Sequence, residues 1–524
     1  MRSTLALFAM LVSAAPAAAQ DQFLLLRGND TVSIERFSRT PTRLHAELLL
    51  RAAGVRTVFD APISEGVTIR RMENRFWRAT DDTTTAPRQS AVLEFQGDSV
   101  IAEIASGPSR QTQRLGTRAG ALPHINPSFA LMELAILRAR TAGVAEVPFF
   151  AVAGGATFTM QVSPLGPDSV LLSAPGSDAR VRVDASSRIL GGVIPAQGIV
   201  IERVSGGQAT MAVAKPDYSA PPGAPYTAQD VTIPTPMGHQ LAGTLTLPRG
   251  ASVAAPVPAI VTITGSGLQD RDERLPPFPT YALFRELADS LGRRGIAVLR
   301  MDDRGFGSSG GNGATATSAD FAKDIEAGLA WLRARRDIDG RRLGLVGHSE
   351  GGLIAPMVAK DDGALGGIVL MAGPAKTGRT ILEFQIGNSV RNDTSLSSAA
   401  RDSVLKTVPA RVDSMLKTNP WLRFFGDYDP LATASTVTTP VLVINGGTDQ
   451  QVTPDQVATL EKAFKAAGNR DVTTRVFPNL NHLFVPDPDG FPGRYPDLPS
   501  FKVDRSVIGL VADWLAARLL KPAS

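Results

Sequence analysis

Two kinds of hydrophobic spacing divide this chain. From residue 21 to about 215, apolar positions fall in short alternating or apolar runs: Thr31 to Phe37, Val67 to Trp77, Ala91 to Phe95, Val100 to Ile104, Thr157 to Val162, Ser169 to Leu172 and Ile199 to Val204. Turn signals such as Gln96-Gly97-Asp98 and Gly166-Pro167-Asp168 separate them, so the pattern predicts short strands. One helix is predicted over Phe129 to Arg140. A curved antiparallel sheet or half-barrel, with the helix against one face, is the architecture expected of residues 20–215.

Lys215-Pro216 through Pro221-Pro222-Gly223-Ala224-Pro225 predicts a stiff, extended linker over 216–225. From Tyr226 to the end at 524 the period changes. Val231 to Ile233 and Leu241 to Leu247 predict an opening hairpin, after which strands and helices alternate. The strands are Ala259 to Thr264, Ile296 to Met301, Leu343 to Val346, Gly367 to Met371, Val441 to Ile444 and Thr473 to Phe477. Helices are predicted at Tyr281 to Arg294, Ala319 to Arg335 and Val507 to Leu520. This order implies a mostly parallel sheet with helices on both faces. Residues 376 to about 435 interrupt it with polar-rich helical sequence, where a lid is expected.

At one strand-to-helix junction stands Gly347-His348-Ser349-Glu350-Gly351. A serine between two glycines in that context reads as a nucleophile elbow. The turn is so tight that a side chain at 347 or 351 would strike strand or helix. The serine takes a strained backbone that lifts its hydroxyl clear of the sheet. The Glu350 amide, at a helix N-terminus, is the expected first oxyanion donor. A second match, Gly307-Ser308-Ser309-Gly310-Gly311, has no strand before it and no helix after it and is expected to be a flexible loop.

A serine nucleophile needs a base, and the base an orienting acid. After Ser349 the only histidine is His482, in the loop Pro478 to His482 directly after a strand. Asp449 and Asp455 compete for the acid. Asp449 is favoured because it ends the strand-loop Val443 to Asp449, whereas Asp455 is expected to begin the next helix, with Thr453 or Asp455 capping it. The second oxyanion donor is expected at Ser266 N–H, with Gly267 in reserve. His348 is expected to point away from the serine hydroxyl and pack. Asp303-Arg304 is expected to buttress the sheet edge. Asp270-Arg271-Asp272 either lines the mouth of the site or forms a solvated loop. Phe384, Trp421, Phe424, Phe425 and Tyr428 either wall an acyl pocket or form the lid's own core.

Composition narrows the setting. Arg2, the apolar Leu5 to Val12 and Ala17-Ala18-Ala19 predict a secretory signal peptide over 1–19, hence an exported protein, periplasmic or secreted, with no integral membrane segment after cleavage. The absence of cysteine excludes disulfides, a lipoprotein anchor and a cysteine nucleophile. Five histidines without paired spacing predict no metal centre, and no cofactor is expected. A net charge of +4 without a long basic run gives no ground for a nucleic-acid partner.

Several segments together resemble one family: Thr264 to Glu273, Asp303-Arg304-Gly305, the elbow, Ala372-Gly373-Pro374, Pro420-Trp421, Gly447 to Val452 and Asn481 to Phe484. Residues 226 to 520 are similar to the secreted or periplasmic α/β-hydrolases related to bacterial EstD-type carboxylesterases and serine aminopeptidase-like hydrolases. That family usually has His where Thr264 stands, a departure that bears on how the oxyanion loop is supported. The resemblance implies Ser349, Asp449 and His482 as the triad and hydrolysis of short acyl esters. A peptidase or acyltransferase with the same triad is the rival within enzymes. From another class, a ligand-binding protein with a vestigial hydrolase half is the alternative.

Overall fold

The computed structural model describes residues 20–520 except 29, 52, 53, 108, 175, 176, 207, 208, 214, 215, 276, 277, 279, 394 and 395. The expected signal peptide, 1–19, lies outside the described residues. The chain separates at Pro216 into two compact units.

The N-terminal unit is one fifteen-stranded sheet built as two meanders. Eight strands from Asp21–Arg27 to Ser109–Gly116 pair antiparallel, each with the next. The unit's last strand, Ile199–Ser205, pairs antiparallel with the first in the register Leu25↔Ile201. From it the second meander runs back to Glu146–Ala151, which pairs parallel with Leu122–His124. Inward positions follow the two-residue period of strands: in Ser177–Val183, Ala179, Val181 and Val183 are buried while their neighbours are exposed. Phe23, Phe37, Phe59, Met72 and Phe149 join Phe129, Leu131, Leu134 and Ile136 of the helix Phe129–Ala142 in one core.

That helix is buried more completely than a helix lying on one face. Its N-terminus is capped twice. Ser128 Oγ accepts from Leu131 N–H, and the fully buried Glu35 accepts from Ser128 Oγ–H, Phe129 N–H (2.7 Å) and Ala130 N–H (3.0 Å). Burial pushes the Glu35 carboxyl up to about 7, against the pull of those donors. The run Val67 to Trp77 is not one strand. Val67 closes a short 3-10 turn at φ 55, and the strand begins at Arg71.

In the C-terminal unit the expected alternation forms an eight-stranded sheet. Its spatial order is Tyr226–Pro234, Gln240–Pro248, Ala297–Met301, Val257–Ile263, Ile338–His348, Gly367–Met371, Val441–Gly446 and Val472–Phe477. The first two strands are antiparallel additions; the other six run parallel. Successive residues feed opposite faces. Val261, Leu299 and Leu345 pack with helices Ser318–Ala334 and Glu350–Ala359, whereas Ile260, Val298 and Val346 pack with Leu283–Gly292 and Arg505–Leu519. The inserted segment holds helices Gly378–Asn392, Ser398–Thr418, Pro420–Asp427 and Pro430–Ala434, with a small core of Val408, Val412 and Leu416.

The proline-rich stretch read as a linker is pinned to this unit. Tyr218 O–H donates to Asp270 and lies under the Arg271 guanidinium, and Ser219 and Ala224 carbonyls accept from Arg285 and Arg249.

Candidate active site

The strand Ile338–His348 and the helix Glu350–Ala359 meet at Ser349, whose φ of 52 and ψ of −116 lie outside the regions open to ordinary residues. Gly347 and Gly351 make this possible. A Cβ at 347 would stand 2.0 Å from the Gly351 carbonyl oxygen, and one at 351 would stand 2.1 Å from that of Ile263 on the neighbouring strand. Ser349 N–H donates to the Met371 carbonyl, which fixes the elbow to the next strand.

His482 follows the strand Val472–Phe477, and its Nδ1 is 2.7 Å from Asp449 Oδ2. The other carboxylate oxygen of Asp449 accepts from the Gln451 (2.7 Å) and Val452 (3.0 Å) amides, so the acid is held at both ends. Asn481 fixes the histidine loop. Its side-chain oxygen accepts from Leu483 and Val485 N–H, and its amide donates to Asp487. Ser349 and His482 line one cavity of about 400 Å³ together with Ser266, Glu350 and the lid residues Trp421 and Phe425; Asp449 lies buried behind His482.

Asp455 is elsewhere. It is the first residue of the helix Asp455–Ala466 and pairs with Lys376 Nζ at 2.9 Å. Neither it nor Thr453 caps that helix with a side-chain bond, because Pro454 occupies the cap position. The expected capping is not formed.

The oxyanion loop is supported by two acids. Asp303 accepts from Thr264 Oγ–H and Gln269 N–H, both at 2.8 Å, so Thr264 ties the loop down through its hydroxyl. Glu273 Oε1 accepts from Gly265 N–H at 2.9 Å. The Gly265 amide is thus engaged, while Ser266 lines the cavity beside Ser349 and Glu350 is the first residue of the helix. The first N–H groups of a helix have no intrahelical acceptor.

His348 is not merely packed. Its Nδ1 is 2.8 Å from the same Glu273 Oε1, and its Nε2 donates to the His482 carbonyl at 2.9 Å. One carboxylate thus links the oxyanion loop, the residue before the nucleophile and the histidine loop. Burial alone would lower the His348 pKa, but Glu273 and the His482 carbonyl outweigh it and the net shift is upward. Sequence reasoning missed this. The only signal was a Glu within a charged run.

That run, Asp270 to Arg274, neither lines the mouth as a group nor is solvated. Asp272 is fully buried and pairs with Arg300 and Arg274, while Arg271 pairs with Asp302; of the expected triplet none lines the cavity, and Glu273 after it does. Arg304 Nε donates to Asp324 at 2.6 Å. Ser309 is also a correction. It is buried, its hydroxyl donates to the Asp302 carbonyl (2.7 Å) and it accepts from Ala242 N–H (2.9 Å), so the decoy loop is fixed.

The lid aromatics divide. Trp421 stacks on Phe425 at 5.3 Å and donates from Nε1 to Glu350 Oε1 at 2.7 Å. Phe424 stacks on Tyr428 within the lid. The buried Glu350 carboxyl also accepts from Ser318, and burial pushes its pKa up. Among the described residues no group of His, Cys, Asp and Glu has the arrangement to hold a metal ion. No helix there is long and apolar enough to cross a membrane.

Residues 275–491 match the alpha/beta hydrolase family. The chain is 29% identical over 309 residues to esterase EstD of Thermotoga maritima, covering 57% of this chain and 69% of that one. Among solved structures, the Pyrococcus furiosus esterase Pf2001 is 18% identical, covering 58% of this chain and 97% of that one, with a TM-score of 0.40. Est1E from Butyrivibrio proteoclasticus is 15% identical, covering 56% and 99%, with a TM-score of 0.37. The C-terminal region has the mostly parallel, helix-flanked sheet of an α/β-hydrolase fold, and the N-terminal region is an antiparallel sheet domain.

Proposed function

We propose that the protein is an exported carboxylester hydrolase acting through an acyl-enzyme, with short acyl chains favoured. The observation that carries the reading is the 2.7 Å contact between Asp449 and a histidine that shares its cavity with the strained Ser349. In this reading Ser349 Oγ attacks the ester carbonyl while His482 Nε2 takes its proton. Asp449 holds the imidazole in the tautomer that leaves Nε2 free and stabilises the imidazolium. The carbonyl electron pair becomes an oxyanion facing the amides of Glu350 and Ser266. Collapse breaks the ester bond, and His482 returns the proton to the departing alcohol. Water then repeats the sequence on the acyl-serine and releases the acid. Similarity to an esterase supports the ester as substrate, and the apolar wall from the lid supports an acyl pocket.

A panel of p-nitrophenyl esters of increasing chain length, aminoacyl amides and alcohol acceptors tests this. The expected result is turnover of short esters, with amides and acyl transfer negligible beside it. Faster cleavage of aminoacyl amides would make it a peptidase. Export is tested by N-terminal sequencing of protein from the producing cells, with Gln20 expected first.

A further inference from the structure

The N-terminal unit contains its own cavity, of about 540 Å³, at the N-terminal turn of the buried helix and between strands of both meanders. Its wall is mostly apolar: Phe76 comes from one meander, Phe129 and Met132 from the helix, and Phe158, Met160 and Leu172 from the other meander. The space is written into the sequence of one hairpin. Ala179 stands opposite Leu172 and Ala174 opposite Ser177, so small side chains line the cavity where other inward positions of the sheet carry Phe, Leu and Val. Protein interiors are otherwise filled to crystal-like density. The two methionines are unbranched and adapt to a chain of variable shape.

Charge is excluded from it. Among the described residues no Asp, Glu, Lys or Arg lines the cavity. His124 does, with its ring edge-on to Phe149 and Phe158, and burial depresses its pKa to about 4, so it is uncharged at neutral pH. One polar group is left over. Asn74 is fully buried in the wall; its side-chain oxygen accepts from Thr57 Oγ–H, while its Nδ2 has no partner. A buried donor without an acceptor is costly, and a ligand oxygen relieves that cost once the Asn74 amide turns its closed-off Nδ2 toward the cavity. Thr57, Asn126, Ser128 and Ser177 complete the polar part of a lining that is apolar over most of its extent.

We propose that this cavity is a binding site for one long acyl chain of an uncharged lipid ester, with the ester carbonyl oxygen as the acceptor for Asn74. The volume lies within the range of small-molecule sites. An ester fits the lining better than a free fatty acid, because no cation is present to meet a carboxylate. The site is independent of the serine chemistry and stands whether or not Ser349 is the nucleophile.

The test uses the full chain carrying Ser349→Ala and methyl laurate labelled with ¹³C at the carbonyl. Saturable binding of one molecule per chain is expected, with a carbonyl shift that reports a hydrogen bond. Ala179→Phe, which fills the cavity, should weaken binding at least about tenfold. Asn74→Leu should weaken it about three- to tenfold and abolish the shift. Laurate anion at pH 8 should bind at least about tenfold more weakly than its methyl ester. Folding of each variant is checked by circular dichroism, and Ala174→Phe replaces Ala179→Phe if the latter does not fold. Binding that is unchanged in the folded cavity-filling variant and in Asn74→Leu would place the lipid elsewhere and overturn the proposal. So would tighter binding of the anion, or no saturable binding.

Discussion

Both units bury a carboxylate deep in the fold, and the company each keeps is different. Glu35 in the N-terminal sheet meets a serine hydroxyl and two amides at a helix start. Asp449 in the C-terminal unit meets two amides and a histidine that borders a cavity. The first arrangement completes the hydrogen bonding of a helix terminus, and Glu35 meets no titratable partner in it. The second leaves an imidazole nitrogen on the cavity side with its tautomer fixed. Burial of an acid therefore does not mark chemistry; a titratable partner that borders a cavity does. The two cavities repeat the lesson. One is walled by Ser349, two histidines and Glu350, the other, among the described residues, by no formally charged side chain.

The comparison breaks first at Ser349. Ser349→Ala should lower ester turnover by about six orders of magnitude and abolish fluorophosphonate labelling, with the fold intact by circular dichroism. Residual turnover within tenfold of wild type would move the chemistry out of the C-terminal cavity. Next comes the acid. Asp449→Asn should reduce kcat by about 10⁴, because the amide favours the wrong imidazole tautomer, whereas Asp455→Asn loses only a surface pair with Lys376 and should keep most activity. Kinetics of the two variants showing the reverse ranking would reassign the acid.

Most elements of the C-terminal unit were legible because their strands are short apolar runs between helices of distinct period, preceded by the hairpin of Tyr226–Pro234 and Gln240–Pro248. The glycines of the elbow carry their steric reason in the sequence. In the N-terminal unit alternation alone did not suffice, since Ser177–Val183 alternates along its length and was not among the predicted strands. Ser109–Gly116 escaped because it is an almost wholly exposed edge strand without an apolar face. Ile189–Ile194 escaped because Gly191 and Gly192 sit inside it; a Cβ at 192 would stand 2.3 Å from the Arg180 carbonyl. Glu273, His348 and Glu35 were illegible in principle. The pairs Glu273–His348, His348–His482 and Glu35–Phe129 join residues 75 or more apart in sequence, and local pattern does not encode long-range pairing.

The role assigned to Glu35 is sharpened by pH. Its carboxyl is raised from 4.5 to about 7. Between those values the folded unit keeps a proton that the unfolded chain releases, so this group's stabilisation is complete below 4.5 and is lost as pH rises through 7. The span amounts to at most about 3 kcal/mol. His124 acts oppositely: depressed from 6.5 to about 4, it contributes stability above 6.5 that is lost as pH falls toward 4. Glu133, another raised acid of this unit, is common to both proteins compared and cancels. Unfolding of Glu35→Gln, followed against pH, should show stability falling on acidification from 6.5 to 4.5 more steeply than in wild type. Identical slopes would mean that Glu35 is ionised in the fold.

The smallest effect separates a serine that supports from one that reacts. Ser309 shares the Gly-x-Ser-x-Gly pattern with Ser349, yet its hydroxyl is occupied on both sides, donating to Asp302 and accepting from Ala242 N–H. Removing it leaves a half-buried amide and a buried carbonyl short of partners, a loss of about 1–3 kcal/mol. Ser309→Ala should therefore lower the midpoint of denaturant unfolding while keeping fluorophosphonate labelling and most of kcat. Asp302 also receives Arg271, whose guanidinium holds the run that leads to Glu273, so the variant reaches the oxyanion loop only through several bonds. Folded but unlabelled Ser309→Ala protein would show that the nucleophile had been placed on the wrong glycine-flanked serine.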